Sequence, residues 1–359
     1  IKLKGKVSLN KPEIEYHLIS NYGDHTQLRL NTANDIPYNI YFGRFICGSN
    51  RTILKDFNLT DRLFVGPTSL DPELSFIMSN MGKCHNNSII FDPFVGTGSI
   101  IIACAYHGSY VIGSDIDMRV LRGGHHTNFD KRKKRTNLNR NNHGTSKYKV
   151  IRDKNDEYKE NIYTTFKQYG LITPELIRCD LNLHSFNDCL IENIDAIICD
   201  PPYGVRAGAR KSGIKGDVKP VPKKYHETHK PRTQIYNDYE VIYDLLNFAG
   251  KYIKIHGRLV YILPCTNEFN IDKDLPQHPC MKCVGNSEQQ CQGIMRRRLI
   301  TMEKYKKWEI GMEPIIPKNA DYIGLKDKII IPNPSKKLKK LNKKNNYPES
   351  KKIKLDNSL

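Results

Sequence analysis

The apolar positions of this chain fall in short runs, separated by polar turns that contain Gly and Pro. Ser88-Ile89-Ile90-Phe91, Tyr110-Val111-Ile112-Gly113, Leu176-Ile177-Arg178-Cys179 and Ile194-Asp195-Ala196-Ile197-Ile198-Cys199 each have the length of a buried strand. Strands are predicted over 88–91, 109–114, 175–179, 194–199 and 257–263, with helices between them. That alternation predicts an α/β fold with a parallel, doubly wound sheet. Asp71-Pro72-Glu73-Leu74 opens a helix, with Asp71 as N-cap, Pro72 in the first position and apolar residues through Met81. A hairpin region is predicted over 278–310. Gly5-Lys6-Val7, the turn at Asn10-Lys11-Pro12 and the alternation Ile14-Glu15-Tyr16-His17-Leu18 predict paired strands near the start, and residues 49–66 read as a linker.

The strand ends carry the chemistry. Asp200-Pro201-Pro202-Tyr203 closes the run at 194–199, and two prolines cannot continue a sheet ladder, so the chain turns at a carboxyl end. In open α/β sheets ligands bind there. The turn offers a carboxylate, backbone carbonyls and an aromatic face, which suit a planar aromatic amine; a structural Pro-rich loop is the plainer reading. Strand 88–91 runs into Asp92-Pro93-Phe94-Val95-Gly96-Thr97-Gly98-Ser99 and then an apolar helix, the arrangement in which glycines let backbone approach a ligand at a helix start. The third glycine of a dinucleotide site is missing, and no Gly-Lys-Ser/Thr of a P-loop follows. Asp115, at the end of the next strand, suits a ribose diol. A nucleoside with an uncharged or cationic tail fits this set better than NAD, and S-adenosylmethionine is such a molecule. Asp92, Gly96, Thr97 and Gly98 are assigned to its methionine part, Asp115 to its ribose and Asp180 to its adenine amine, with a strand-end cap as the alternative for Asp180.

An exocyclic base amine is a poor nucleophile, and a methyl sulfonium is already activated. The site therefore has to align the amine and supply acceptors for its N–H bonds. Asp200 and the Pro201 carbonyl are the candidate acceptors, Pro202 shapes the turn, and Tyr203 is the stacking platform. An Asp of ordinary pKa, about 3.9, is ionised at neutral pH and accepts such a bond. Arg206, Arg210 and Lys211 follow the turn and are candidates to grip a phosphate of the substrate.

Composition narrows the partners. The 359 residues carry a net charge of +19, which points to a polyanion, although a compositional bias toward Lys, Asn and Ile reads the same way. No run of about 18 apolar residues is present, so no membrane partner is expected. The start Ile1-Lys2-Leu3-Lys4 lacks an initiator Met and a signal-type apolar core, and reads as part of a longer chain. Ten cysteines without a framework imply a reduced, intracellular and cytoplasmic setting. His278, Cys280, Cys283 and Cys291 invite a zinc reading, but only one C-x-x-C is present where a structural site takes two pairs, so no metal is assigned. Residues 125–160 are polar, include Lys131-Arg132-Lys133-Lys134-Arg135 and lack apolar periodicity. They are predicted to be a disordered insertion, whose basic run either touches RNA or is simply solvated. Residues 316–359 read as a basic low-complexity tail, in which Lys336 to Lys340 resembles a nuclear signal.

Asp-Pro-Pro-Tyr resembles the motif of S-adenosylmethionine-dependent methyltransferases acting on exocyclic amines of bases. The wider sequence is similar to one branch, the tRNA guanosine-N2 methyltransferases that modify position ten. The matching stretches are Tyr41-Phe42-Gly43-Arg44, Val65 to Ser75, Asp92 to Ser99, Asp200 to Lys211, His278-Pro279 and Arg296-Arg297-Arg298-Leu299. Ala207 departs from the family pattern, which carries Glu or a similar residue there. The resemblance implies a Rossmann-like methyltransferase domain over 67–315, a partial RNA-binding THUMP module over 1–48, and a segment before the cofactor site that closes over it. It also implies a tRNA substrate and a small zinc-binding activator subunit that forms a heterodimer through an exposed strand edge. A DNA or rRNA amino-methyltransferase shares the Pro-Pro-Tyr turn. A catalytically idle RNA-binding scaffold is the alternative from another class, against which the intact turn and Gly96-Thr97-Gly98 both tell.

Overall fold

The computed structural model describes residues 7–8, 10–22, 36–123, 160–202, 209–213, 222, 233–291, 293–325 and 328, which divide into one unit within 1–53 and another within 54–359. In the first, β1 (Tyr16–Asn21) and β2 (Asn39–Arg44) pair antiparallel, with Tyr16 opposite Arg44 and Asn21 opposite Asn39. The sequence predicts strands paired about the turn at Asn10-Lys11-Pro12; β1 instead pairs with the later strand at Asn39–Arg44. The ring of Tyr16 stacks on that of Phe42, centroids 5.4 Å apart, on an exposed face.

The larger unit follows the alternation read from the apolar runs. A short helix α1 (Ile53–Asp56) spans the division, and α2 (Pro72–Met81) comes next. Then follow β3 (Ile89–Asp92), α3 (Ser99–Tyr106), β4 (Tyr110–Asp115), α4 (Met118–Arg122), α5 (Ile162–Tyr169), β5 (Glu175–Arg178) and β6 (Ile194–Cys199). A ribbon of β7 (Arg210–Ser212) and β8 (Thr233–Ile235) precedes α6 (Asp238–Tyr252) and the long β9 (Ile253–Thr266). After α7 (Ile271–Asp274), β10 (Met281–Gln290) and β11 (Met295–Lys304) form the hairpin expected over 278–310.

Seven strands form one sheet in the order β10-β11-β9-β6-β3-β4-β5. β5, β4, β3, β6 and β9 run parallel, and β11 runs antiparallel to both of its neighbours. Strand order reverses between β3 and β6, the switch point at which a doubly wound sheet opens a crevice. Both sheet faces are covered, so the central strands read as mostly apolar runs rather than alternating. Ile197 and Cys199 join the core beneath α6 with Leu245, Leu246 and Ala249. On the other face a Cβ at Gly82, which caps α2, would collide with Ile198. The helix at Pro72–Met81 forms as read: the Asp71 carboxylate accepts the Glu73 N–H at 2.8 Å, a cap worth about 1 kcal/mol.

Two boundaries differ from the sequence reading. Residues 54–66, expected as linker, belong to the larger unit, with Phe57, Phe64, Val65 and Arg62 buried. Residues 316–325, assigned to the tail, also pack there: Tyr322 and Leu325 are buried, and the Asp321 carboxylate accepts the Thr266 hydroxyl at 2.8 Å. Composition concealed both because their partners lie far away in sequence. The insertion at 125–160 and the Lys-rich run at 336–340 lie outside the described residues, apart from Glu160. Among the described residues, no helix is long and apolar enough to cross a membrane.

Candidate active site

The acids picked from the sequence leave the sheet along one edge. Asp92 is the last residue of β3, Asp115 the last of β4, Asp180 lies just past β5, and Asp200 is the first residue past β6. β3 and β6 flank the switch point, so Asp92 and Asp200 stand on either side of the crevice. Asp92 is buried, 1% exposed, and its carboxylate accepts the Phe94 N–H at 3.0 Å. Burial, with the negative charges of Asp115 and Asp200 behind it, holds the Asp92 proton well above the usual carboxylate range. Burial raises Asp115 too.

The glycine-rich turn folds onto the end of β4. Val95 N–H donates to the Ser114 carbonyl at 2.9 Å, Gly96 N–H to the Asp115 carboxylate at 3.1 Å, and Gly98 N–H to the Val95 carbonyl at 2.8 Å. Gly96 and Gly98 have φ of +50° and +82°, in the left-handed region that favours glycine. Gly98 is the N-cap of α3 and carries no capping side chain. The first N–H groups of this helix therefore lack the usual side-chain acceptor.

Behind the turn lies an anchor that the sequence reading missed. Arg62 is 3% exposed; its guanidinium donates to the Ser99 hydroxyl at 2.8 Å and to the Thr97 carbonyl. Burial lowers its pKa to about 10, which leaves it charged at neutral pH. Ser69 and Thr97 hydroxyls are 2.6 Å apart, and Ser69 also accepts the Gly66 N–H at 2.9 Å. A lone Arg beside Leu63-Phe64-Val65 gives no sign of this in sequence.

The remaining candidates divide. Asp180 caps a short turn, accepting the Asn182 N–H at 3.1 Å, and also accepts the Ser212 N–H of β7. Lys211 forms a 2.9 Å ion pair with Glu240 and lies over the Tyr236 ring, whereas Arg210 is exposed. Pro201 is buried, and Pro202 lines a hollow with Asp238, Val241, Ile242, Leu263, Pro264 and Tyr322. Tyr203, Arg206 and Ala207 lie outside the described residues. His278 and Cys280, part of the zinc reading, pack on each other, Nδ1 to Sγ 3.1 Å, with the His278 ring against Gly250. Among the described residues no three His, Cys, Asp or Glu side chains converge as metal ligands would.

Residues 60–215, which span β3 through β7, match the family model of the RMKL-like methyltransferase domain. The chain is 37% identical over 317 residues to the tRNA (guanine(10)-N(2))-methyltransferase TRMT11 of Homo sapiens, covering 86% of this chain and 62% of that protein. It is 35% identical over 303 residues to the protein of the same name from Dictyostelium discoideum, covering 81% of this chain and 51% of that one. The chain thus spans less than two thirds of the length of these relatives. TrmN from Thermus thermophilus aligns with a TM-score of 0.38 and 16% identity, over 74% of this chain and 56% of that chain. The acids ending β3 and β4, the acid just past β6, the open turn and the first turn of α3 lie along one edge of the sheet.

Proposed function

We propose that this chain transfers a methyl group from S-adenosylmethionine to the exocyclic N2 amine of guanosine ten in tRNA. The observation that carries the reading is the Asp200-Pro201-Pro202 turn, which leaves β6 at the switch point across from the buried carboxyl of Asp92. The names of the relatives support the base, the amine and the position.

The donor set suits this cofactor. Buried acids that hold their protons tightly, as Asp92 and Asp115 do, favour a cationic ligand, which lets both ionise at lower cost. Asp92 and the turn Gly96-Thr97-Gly98 would hold the methionine part, with Asp115 at the ribose and Asp180 at the adenine amine. When bound, the cofactor supplies a methyl group already activated by its sulfonium. The chain's own task is alignment: Asp200 and the Pro201 carbonyl accept the two N–H bonds of the amine, and Tyr203 stacks on the base. The nitrogen becomes strongly acidic once methylated, so its proton leaves without a strong base in the pocket. Arg206 and Arg210 would meet substrate phosphates, while Lys211 serves the fold through Glu240.

A base within a folded tRNA arm has to leave its stack to reach this crevice, at a cost of a few kcal/mol. The basic chain and an RNA-binding module within residues 1–48 would supply binding energy against that cost. A small zinc-binding activator would pair with an exposed sheet edge, and the enzyme would act in the cytoplasm. The test is transfer from methyl-labelled S-adenosylmethionine to unmodified tRNA, with and without the activator, followed by nucleoside analysis. N2-methylguanosine formed by the native chain and lost at least about 100-fold in Asp200→Ala, with cofactor binding retained, is the expected result. Label only in DNA or rRNA would overturn the substrate, and no transfer with no cofactor binding would favour a scaffold.

A further inference from the structure

The geometry points to Arg62 as a positioning residue: a buried cation that holds the Gly96-Thr97-Gly98 turn in its ligand-binding shape from behind. The inference rests on the cofactor reading above and deepens it. Four observations carry it. Arg62 is 3% exposed, which is rare for an arginine and costly unless its donors are used. Two of those donors go to the turn: Nη1 reaches the Ser99 hydroxyl at 2.8 Å and Nη2 the Thr97 carbonyl. The two acceptors lie on either side of Gly98, whose φ of +82° has no side chain to stabilise it. The segment carrying Arg62 grips the turn a second time, through Ser69 to the Thr97 hydroxyl at 2.6 Å.

The direction of these bonds matters. With its carbonyl drawn onto Arg62, the Thr97 peptide is fixed, and the turn has its shape before any ligand arrives. With its hydroxyl accepting from Arg62, Ser99 presents a lone pair to the guanidinium at the start of α3. The N-cap Gly98 contributes no side-chain acceptor, so the first N–H groups of the helix stay available to a ligand oxygen. Preorganisation of this kind lowers the ordering cost of binding. The planar fork of Arg reaches both acceptors together, which the single ammonium of Lys does not match. The segment 62–69 also has its own anchors on α5. The Leu63 N–H donates to the Gln168 side chain at 2.9 Å and the Phe64 N–H to the Thr165 hydroxyl at 3.3 Å. The strap is thereby tied at both ends.

The test compares two ligands by titration calorimetry, on the native chain and on Arg62→Lys, Arg62→Ala and Ser69→Ala. S-adenosylmethionine carries the methionine part, and 5′-methylthioadenosine lacks its amino and carboxylate groups. Arg62→Ala should weaken S-adenosylmethionine about tenfold or more, the loss expected for hydrogen bonds from a charged donor, and 5′-methylthioadenosine by less than about threefold. Arg62→Lys should recover only part of that loss, Ser69→Ala should show a smaller loss of the same selectivity, and added methylguanidinium should restore S-adenosylmethionine affinity to Arg62→Ala. Equal weakening of both ligands, or no rescue by methylguanidinium in a variant that melts cooperatively, would overturn the positioning role in favour of general packing. If Arg62→Ala does not fold, Ser69→Ala decides: unchanged affinity for S-adenosylmethionine overturns the inference. If the native chain binds neither ligand, the cofactor reading itself fails and takes this inference with it.

Discussion

Asp92 is a residue that burdens the fold, as an acid kept for the proposed ligand would. Its carboxyl is buried, faces the charges of Asp115 and Asp200, and keeps its proton more tightly folded than unfolded. Stability drawn from that proton is therefore complete below the unfolded value of about 3.9 and drains away as pH rises through the folded one. Asp92→Asn keeps an acceptor for the Phe94 N–H and removes the charge. At pH 8 it should raise the melting temperature, by about 2 °C for each kcal/mol relieved, and the gain should shrink toward zero near pH 4. Titration of the same variant should show weaker S-adenosylmethionine binding. Melting curves across that range check the first point: a variant less stable than native at pH 8 would mean the charge is already compensated. A trade of stability against binding is what an acid kept for a cationic ligand produces.

At the scale of elements, the packing of His278, just ahead of β10, against α6 gives a substitution whose sign is opposite to propensity. Gly250 lies within α6, where Gly→Ala ordinarily gains about 1 kcal/mol. Here an added Cβ would sit 2.6 Å from Nε2 of the buried His278, whose ring is held by Cys280. Gly250→Ala should therefore destabilise by about 1–3 kcal/mol, read by denaturant unfolding, and a stabilised variant would show that the ring has room to move. What the sequence revealed follows the same division between local and distant causes. The helix at Pro72–Met81 was legible because Asp71 and Pro72 are local signals, and β6 because a strand covered on both faces is a mostly apolar run, here interrupted only by Asp195. The strand-end acids were legible because the sheet topology sends every parallel strand's carboxyl end to one edge. Arg62 was not, since its partners are 35 and 37 residues away, nor was Asp321, whose partner Thr266 is 55 residues away. Lys211 was read as a phosphate contact because nothing local announces Glu240, which closes on it across the start of α6.

For the molecule as a whole, the doubly wound sheet brings the proposed donor-binding acids and the Asp200 turn to one edge, and the net charge of +19 favours a polyanionic partner. RNA duplexes are recognised through shape and backbone, so binding by the whole chain should tolerate changes of single atoms in the target base. Chemistry at the crevice should not, because in the proposed reaction the amine accepted by Asp200 and the Pro201 carbonyl is the reacting group. These two requirements separate in one substrate. Inosine pairs and stacks much as guanosine does but lacks the N2 amine. The most direct measurement is single-turnover methyl transfer to two tRNA transcripts that differ only in guanosine or inosine at position ten, with tRNA binding measured alongside. The account predicts equal binding, rapid transfer to the guanosine transcript and none to the inosine one. Undiminished transfer to the inosine transcript would contradict it, since the methyl group would then be going to another atom or another nucleotide.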